Sequence, residues 1–190
     1  MLSKLSLRSL GLALGMACVA LAVSMQDAKA TAINLDTWYE FGFDGVGSAL
    51  ESGVGTVPAT NPPDGNTIVQ VDDAPWTITT TETTRLIVLD LFNSVDQFEI
   101  FDNAASLGLT SVPVDGGNCD SDITCALGDL RYSRREYILA AGNHSLTGTQ
   151  VAGIPGAAVF EITSAVPEPA TLSLLGLGLL GFGFARRLRQ

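Results

Sequence analysis

The run Leu86-Ile87-Val88-Leu89-Asp90-Leu91 limits most strongly how this chain can fold. It is nearly continuous in Leu, Ile and Val, which reads as a central strand covered on both faces. The chain must therefore supply a layer above it and a layer below it. Upstream, Trp76 to Thr81 alternates Trp76, Ile78 and Thr80 against Thr77, Thr79 and Thr81, the pattern of a half-buried strand. Downstream, Phe92-Asn93-Ser94-Val95 reads as a turn and Gln97 to Phe101 as another strand. The strands on either side of that turn are expected to form a hairpin at the heart of the sheet.

The same signals recur along the chain. Ile33 to Phe43 carries Trp38, Tyr39, Phe41 and Phe43 and reads as a first strand. Gly53 to Asn66 is a loop by its turn chemistry, Asn61-Pro62-Pro63-Asp64-Gly65 above all. Thr67 to Val71, Leu107 to Val112, Tyr137 to Leu139, Ser145 to Thr149 and Ala157 to Thr163 read as further strands. Leu127 to Arg135 reads as an irregular connection with room for one helical turn. Eight to ten short strands without a long amphipathic helix predict an all-β domain, a β-sandwich with the jelly roll among its variants. About 135 residues, 31–165, suffice for one such core.

Both ends of the chain stand apart from that domain. Lys4 and Arg8 precede an apolar run from Leu10 to Val23, and Ala28-Lys29-Ala30 follows with small residues. Residues 1–30 therefore read as a signal peptide cut by signal peptidase after Ala30; Gly15-Met16-Ala17-Cys18 is a poor lipobox. At the other end, Val166-Pro167-Glu168-Pro169-Ala170-Thr171 leads into an apolar run from Leu172 to Phe184 and then Arg186, Arg187 and Arg189. Thr171 to Ala185 as a helix spans about 22 Å, short of a hydrocarbon core of roughly 30 Å, so it is a marginal span suited to temporary retention. The arginines place its end in the cytoplasm. Pro167 and Pro169 keep Glu168 extended and accessible. Gly176-Leu177-Gly178-Leu179-Leu180-Gly181 matches a dinucleotide fingerprint only in letters, because no strand precedes it and no acidic partner follows.

Taken together, residues 166–190 resemble the PEP-CTERM sorting signal of Gram-negative bacteria: a Pro-Glu-Pro signature, a short apolar helix and a terminal arginine cluster. The resemblance implies an exosortase-type membrane protease as processing partner and transient anchoring in the inner membrane. It also implies delivery to the cell surface or outside, in association with exopolysaccharide. The segments LIVLDLFNSVDQFEIFDNAASLGLTS and YILAAGNHSLTG are similar to the bodies of small exported proteins of this kind, which agrees with a sandwich and implies no defined activity.

Between Thr31 and Ala165 stand eighteen Asp and Glu against four arginines, with no lysine. Nucleic acid is a poor partner for such a surface, whereas cations or a cation-held matrix suit it. Cys119 and Cys125 are left once Cys18 departs with the signal peptide, and in an oxidising compartment they are expected to close a small disulfide loop.

Several constellations could carry chemistry. Asp90 and Asp96, with Glu99 and Asp102 farther along the next strand, could hold calcium through hard oxygen ligands, or could cap turn amides. Asp115, Asn118, Asp120 and Asp122 do not fit an EF-hand, so a solvated acidic loop is expected there. His144 and Ser145 are neighbours on one strand and point to opposite faces, which suits no catalytic triad. Trp38, Tyr39 or Trp76, if exposed, could stack on sugars, and paired carboxylates could serve a glycosidase. The expected function is that of a non-enzymatic surface or matrix protein without an obligatory cofactor. A calcium-dependent or carbohydrate-binding module is the alternative.

Overall fold

The computed structural model describes residues 29–164. In chain order these form β1 (Thr31–Ala32), β2 (Thr37–Phe43), β3 (Glu51–Ser52), β4 (Thr67–Gln70), β5 (Trp76–Thr80), β6 (Thr84–Asp90), β7 (Phe92–Asn93), β8 (Gln97–Asp102), β9 (Ala105–Leu109) and β10 (Asn118–Asp120). Then come α1 (Ile123–Gly128), β11 (Arg134–Leu139), β12 (Gly142–Ala152) and β13 (Gly156–Ser164). One sheet has the order β1-β5-β12-β8-β9 and the other β11-β6-β13-β2-β3, with β4 also paired to β2 and a small β10-β7 ribbon beside them.

The apolar run does what its composition demands. β6 lies between β11 and β13, and its Leu86 and Val88 enter the core shared with the other sheet. Leu89 and Leu91 join a second cluster with Trp38, Ile123, Ala126, Tyr132 and Val159. That cluster lies on the far face, where α1 forms the cover. The second sheet is thus covered on its far face as well, around Leu89, Leu91 and Val159. Between the sheets, aromatic rings interlock: Phe41 lies 5.4 Å from Trp76 and 5.7 Å, edge-on, from Phe98, and Trp76 lies 4.7 Å from Phe160. Such geometry adds roughly 1 kcal/mol per pair to the area buried.

Several expectations are corrected. β6 and β8 do not form a hairpin, because they belong to different sheets. The connection adopts a left-handed backbone at Phe92 (φ 60°), and Phe92–Asn93 pairs with Asn118–Asp120, so residues 91–96 carry the chain across the mouth of the sandwich. The helix lies at Ile123–Gly128, earlier than Leu127 to Arg135, because Asp122 caps it by accepting from Cys125 N at 2.8 Å. Trp38, Tyr39 and Trp76 are core residues, each under 5% exposed, and offer no face to a sugar.

The edge of β2 is shared by β3 and β4, and Gly53 stands at the junction. Its N–H donates to Val71 O at 2.9 Å, and a Cβ there would lie 2.2 Å from Glu40 O. Cys119 and Cys125 form a disulfide with a Cα–Cα separation of 5.6 Å, holding the start of α1 to β10.

Two predictions test these joints. Gly53→Ala lowers unfolding stability by about 2 kcal/mol, because the methyl group meets fixed backbone, and urea denaturation measures the loss. Replacing both Cys119 and Cys125 by Ser costs about 2 kcal/mol for so short a loop. It lowers the thermal midpoint while the strand signal in circular dichroism persists.

Candidate functional site

The interior of the sandwich is apolar in the middle and polar at its ends. Along β12, alternate residues face the core: His144, Leu146, Gly148 and Gln150. At the Gln150 end, Asp90 on the inner face of β6 meets Asp96, which precedes β8. Asp96 N donates to Asp90 Oδ2 at 3.3 Å. Asp96 Oδ1 accepts from Gln150 Nε2 and from Ile154 N, both at 2.8 Å. Burial pushes both carboxyls up, and the charge of Asp96 pushes Asp90 further. Beside them opens an apolar pocket of about 360 Å³ lined by Val57, Leu91, Phe92, Ile154 and Pro155, with Asp96 on its wall.

At the opposite end, His144 is buried with Nδ1 2.7 Å from Asp102 Oδ2 and Nε2 2.9 Å from Ala140 O. Ser145 N donates to Asp102 Oδ1 at 3.1 Å. The histidine thus joins the start of β12 to the end of β8, and its ring is engaged on both sides.

Of the four candidate calcium ligands, the structure brings Asp90 and Asp96 together and leaves the other two elsewhere. Glu99 is on the outer face, accepting from Ser106 Oγ at 2.7 Å. Asp102 lies six residues from Asp96, about 20 Å along an extended strand, and serves His144. In the disulfide loop, Asp115, Asn118 and Asp120 face solvent, while Asp122 caps α1 and accepts from Asn61 Nδ2 at 2.8 Å.

Beneath α1, on the outer face of the second sheet, a cleft of about 620 Å³ is lined by Trp38, Asp64, Asn66, Arg85, Glu136 and Glu161, among others. Glu161 Oε1 accepts from Asn66 Nδ2 at 2.8 Å, and Trp38 Nε1 donates to Asp64 at 3.1 Å. Burial pushes the Glu161 carboxyl up to about 7; the Asn66 bond opposes this and the neighbouring Asp64 adds to it. The cleft therefore contains one group that exchanges a proton near neutral pH. Glu161, like the buried Glu40, is a lone carboxylate inside an apolar strand, a pattern legible in the sequence. Gln150 carried no such signal.

The sorting residues Pro167, Glu168 and Pro169, the arginines Arg186, Arg187 and Arg189, and all but the end of the signal peptide lie outside the described residues. Among the described residues no helix is long and apolar enough to cross a membrane. β13 ends at Ser164 on a wall of the cleft, and residues 165–189 match the family described as PEP-CTERM protein-sorting motif. No curated protein and no solved structure matches the chain. The motif indicates a protein sorted through an exosortase toward the cell surface.

The raised Glu161 fixes a sign for pH dependence. Its protonated form is favoured in the folded state, so its contribution to stability is complete below about pH 4.5 and is lost as pH rises to about 7. Glu161→Gln removes that part of the slope, and urea midpoints measured across this interval should be flatter in the variant than in the parent.

Proposed function

We propose that this chain is a secreted surface or extracellular-matrix protein without enzymatic activity. Its acidic β-sandwich, of jelly-roll-like class, is exported after signal peptidase cuts behind Ala30. It is then held at the inner membrane through residues 166–190 and released by an exosortase near Pro167–Pro169 to associate with exopolysaccharide. The observation that carries this reading is the sorting motif at residues 165–189, directly after the last residue of β13.

Supporting the non-enzymatic part, the polar side chains best suited to catalysis are used within the fold. His144 and Asp102 bind each other, and Asp122 caps a helix. The strongly acidic body also suits a matrix bridged by divalent cations, which bind carboxylate oxygens of neighbouring surfaces. A second reading, carbohydrate binding by the body itself, is favoured by the cleft, whose Asp64, Asn66, Arg85 and Glu161 offer hydrogen-bonding groups to a hydroxylated ligand.

Deleting residues 166–190 tests the sorting reading. The expected result is loss of the membrane-held precursor and of surface delivery, followed by cell fractionation and apparent mass. Replacing Pro167, Glu168 and Pro169 together by alanine is expected to leave the precursor unprocessed in the membrane fraction. A truncated protein that reached the same surface fraction at the same apparent mass would show the reading to be wrong.

A further inference from the structure

The polar end of the interior at Asp90, Asp96 and Gln150 is more than a pair of capped turns. Asp90 and Gln150 are fully buried and Asp96 is 3% exposed. Asp90 belongs to one sheet and Gln150 to the other, and Asp96 stands just before β8 of Gln150's sheet, so the group spans the space between the sheets. Two of its oxygens, Asp90 Oδ1 and Gln150 Oε1, are buried without any hydrogen-bond partner. An orphaned carboxylate oxygen in such surroundings carries a full desolvation cost.

Nothing basic in the body relieves that cost. Arg85 pairs with Glu136 and Arg131 with Asp129; Arg134 donates to Leu127 O and Arg135 to Leu109 O. The only nitrogen donors reaching the group are amides. One of them, Gln150 Nε2, faces three acceptors with two hydrogens: Asp96 Oδ1 at 2.8 Å, Ile154 O at 2.8 Å and Ala152 O at 3.2 Å. The loop carrying these carbonyls lies directly on the carboxylate. Gly153 has φ +108°, and a Cβ there would stand 1.9 Å from Asp96 Oδ1. Oxygens from two sheets and one loop therefore crowd together with an excess of acceptors over donors.

We infer that Asp90, Asp96 and Gln150 form a binding site for a hard divalent cation of the calcium class, which ties the two sheets together at this end. The donor set is oxygen only, with neither imidazole nor thiolate, which disfavours zinc and other transition metals. Calcium accepts carboxylate, amide and carbonyl oxygens in irregular arrangements, and Ala152 O and Ile154 O, both against Gln150 Nε2, are carbonyls at hand to complete them. The burial that pushes both carboxyls up, and the charge of Asp96 that pushes Asp90 further, are the costs a bound cation would relieve. A proton shared by the two carboxyls is the competing arrangement. The inference is independent of the sorting signal and stands or falls on the sandwich alone.

The test uses the full chain in detergent micelles, stripped with chelator and then titrated with calcium chloride, with magnesium chloride as control. Millimolar calcium is expected to raise the thermal midpoint by about 4 °C or more, and magnesium by less. Asp90→Asn and Asp96→Asn, which preserve shape and remove charge, should abolish that rise. Terbium added to the parent protein should show luminescence sensitised by nearby aromatic side chains, and calcium should quench it. Gln150→Glu should lower the midpoint in chelator and enlarge the rise in calcium. No calcium-dependent rise in the parent protein overturns the inference and leaves the shared proton as the explanation. A rise retained in both asparagine variants overturns it as well, by placing the ion elsewhere.

Discussion

The burial of Phe41 is the contact on which the rest of the sandwich depends. Its ring is fully enclosed and touches Phe43, Trp76, Phe98 and Phe160, which come from both sheets. Burying one such side chain contributes roughly 2–3 kcal/mol, and this ring also fixes the spacing at which the other four can interlock. Gly148, on β12, is the matching concession: a Cβ there would lie 2.5 Å from Leu50 Cδ1, so the strand stays bare where the packed layer comes closest.

A core held by rings in its middle must still be closed at its ends, where strands give way to loops and backbone groups need partners. The two ends are closed differently. One has a histidine and an aspartate that bind each other and their local backbone. The other has two carboxyls and an amide with two oxygens left over. The first uses its hydrogen-bonding groups internally, and the second presents the unpartnered acceptors from which the cation site is inferred.

Much of this was legible in the sequence, for reasons that can be traced to particular residues. Leu86 to Leu91 announced a strand covered on both faces, and Leu89 and Val88 do face two separate clusters. The alternation at Trp76, Ile78 and Thr80 placed those three inward. Hydrophobic period reports which face of a strand is buried but not which sheet it joins, so it does not distinguish the crossing at residues 91–96 from a hairpin. Phe92 at φ 60° is the step that redirects the chain, and nothing in its residue type foretells it. The same limitation hid the candidate site. Asp90 and Asp96 were placed together for the wrong topological reason, whereas Gln150, 54 residues away from Asp96, becomes their neighbour only through the pairing of β12 with β8. Cys119 and Cys125, six apart, needed no such knowledge.

The position of β13 has a mechanical consequence. It is an inner strand, laddered to β2 on one side through Glu161↔Trp38 and to β6 on the other through Ser164↔Thr84. The residue after it begins the sorting motif. A load arriving from residue 165 therefore pulls along the axis of a strand whose hydrogen bonds run across it on both sides. Those bonds share the force in shear instead of parting one at a time, as they would on a strand peeled from an edge. The body is thus continuous with residue 165 through an inner strand held on both sides.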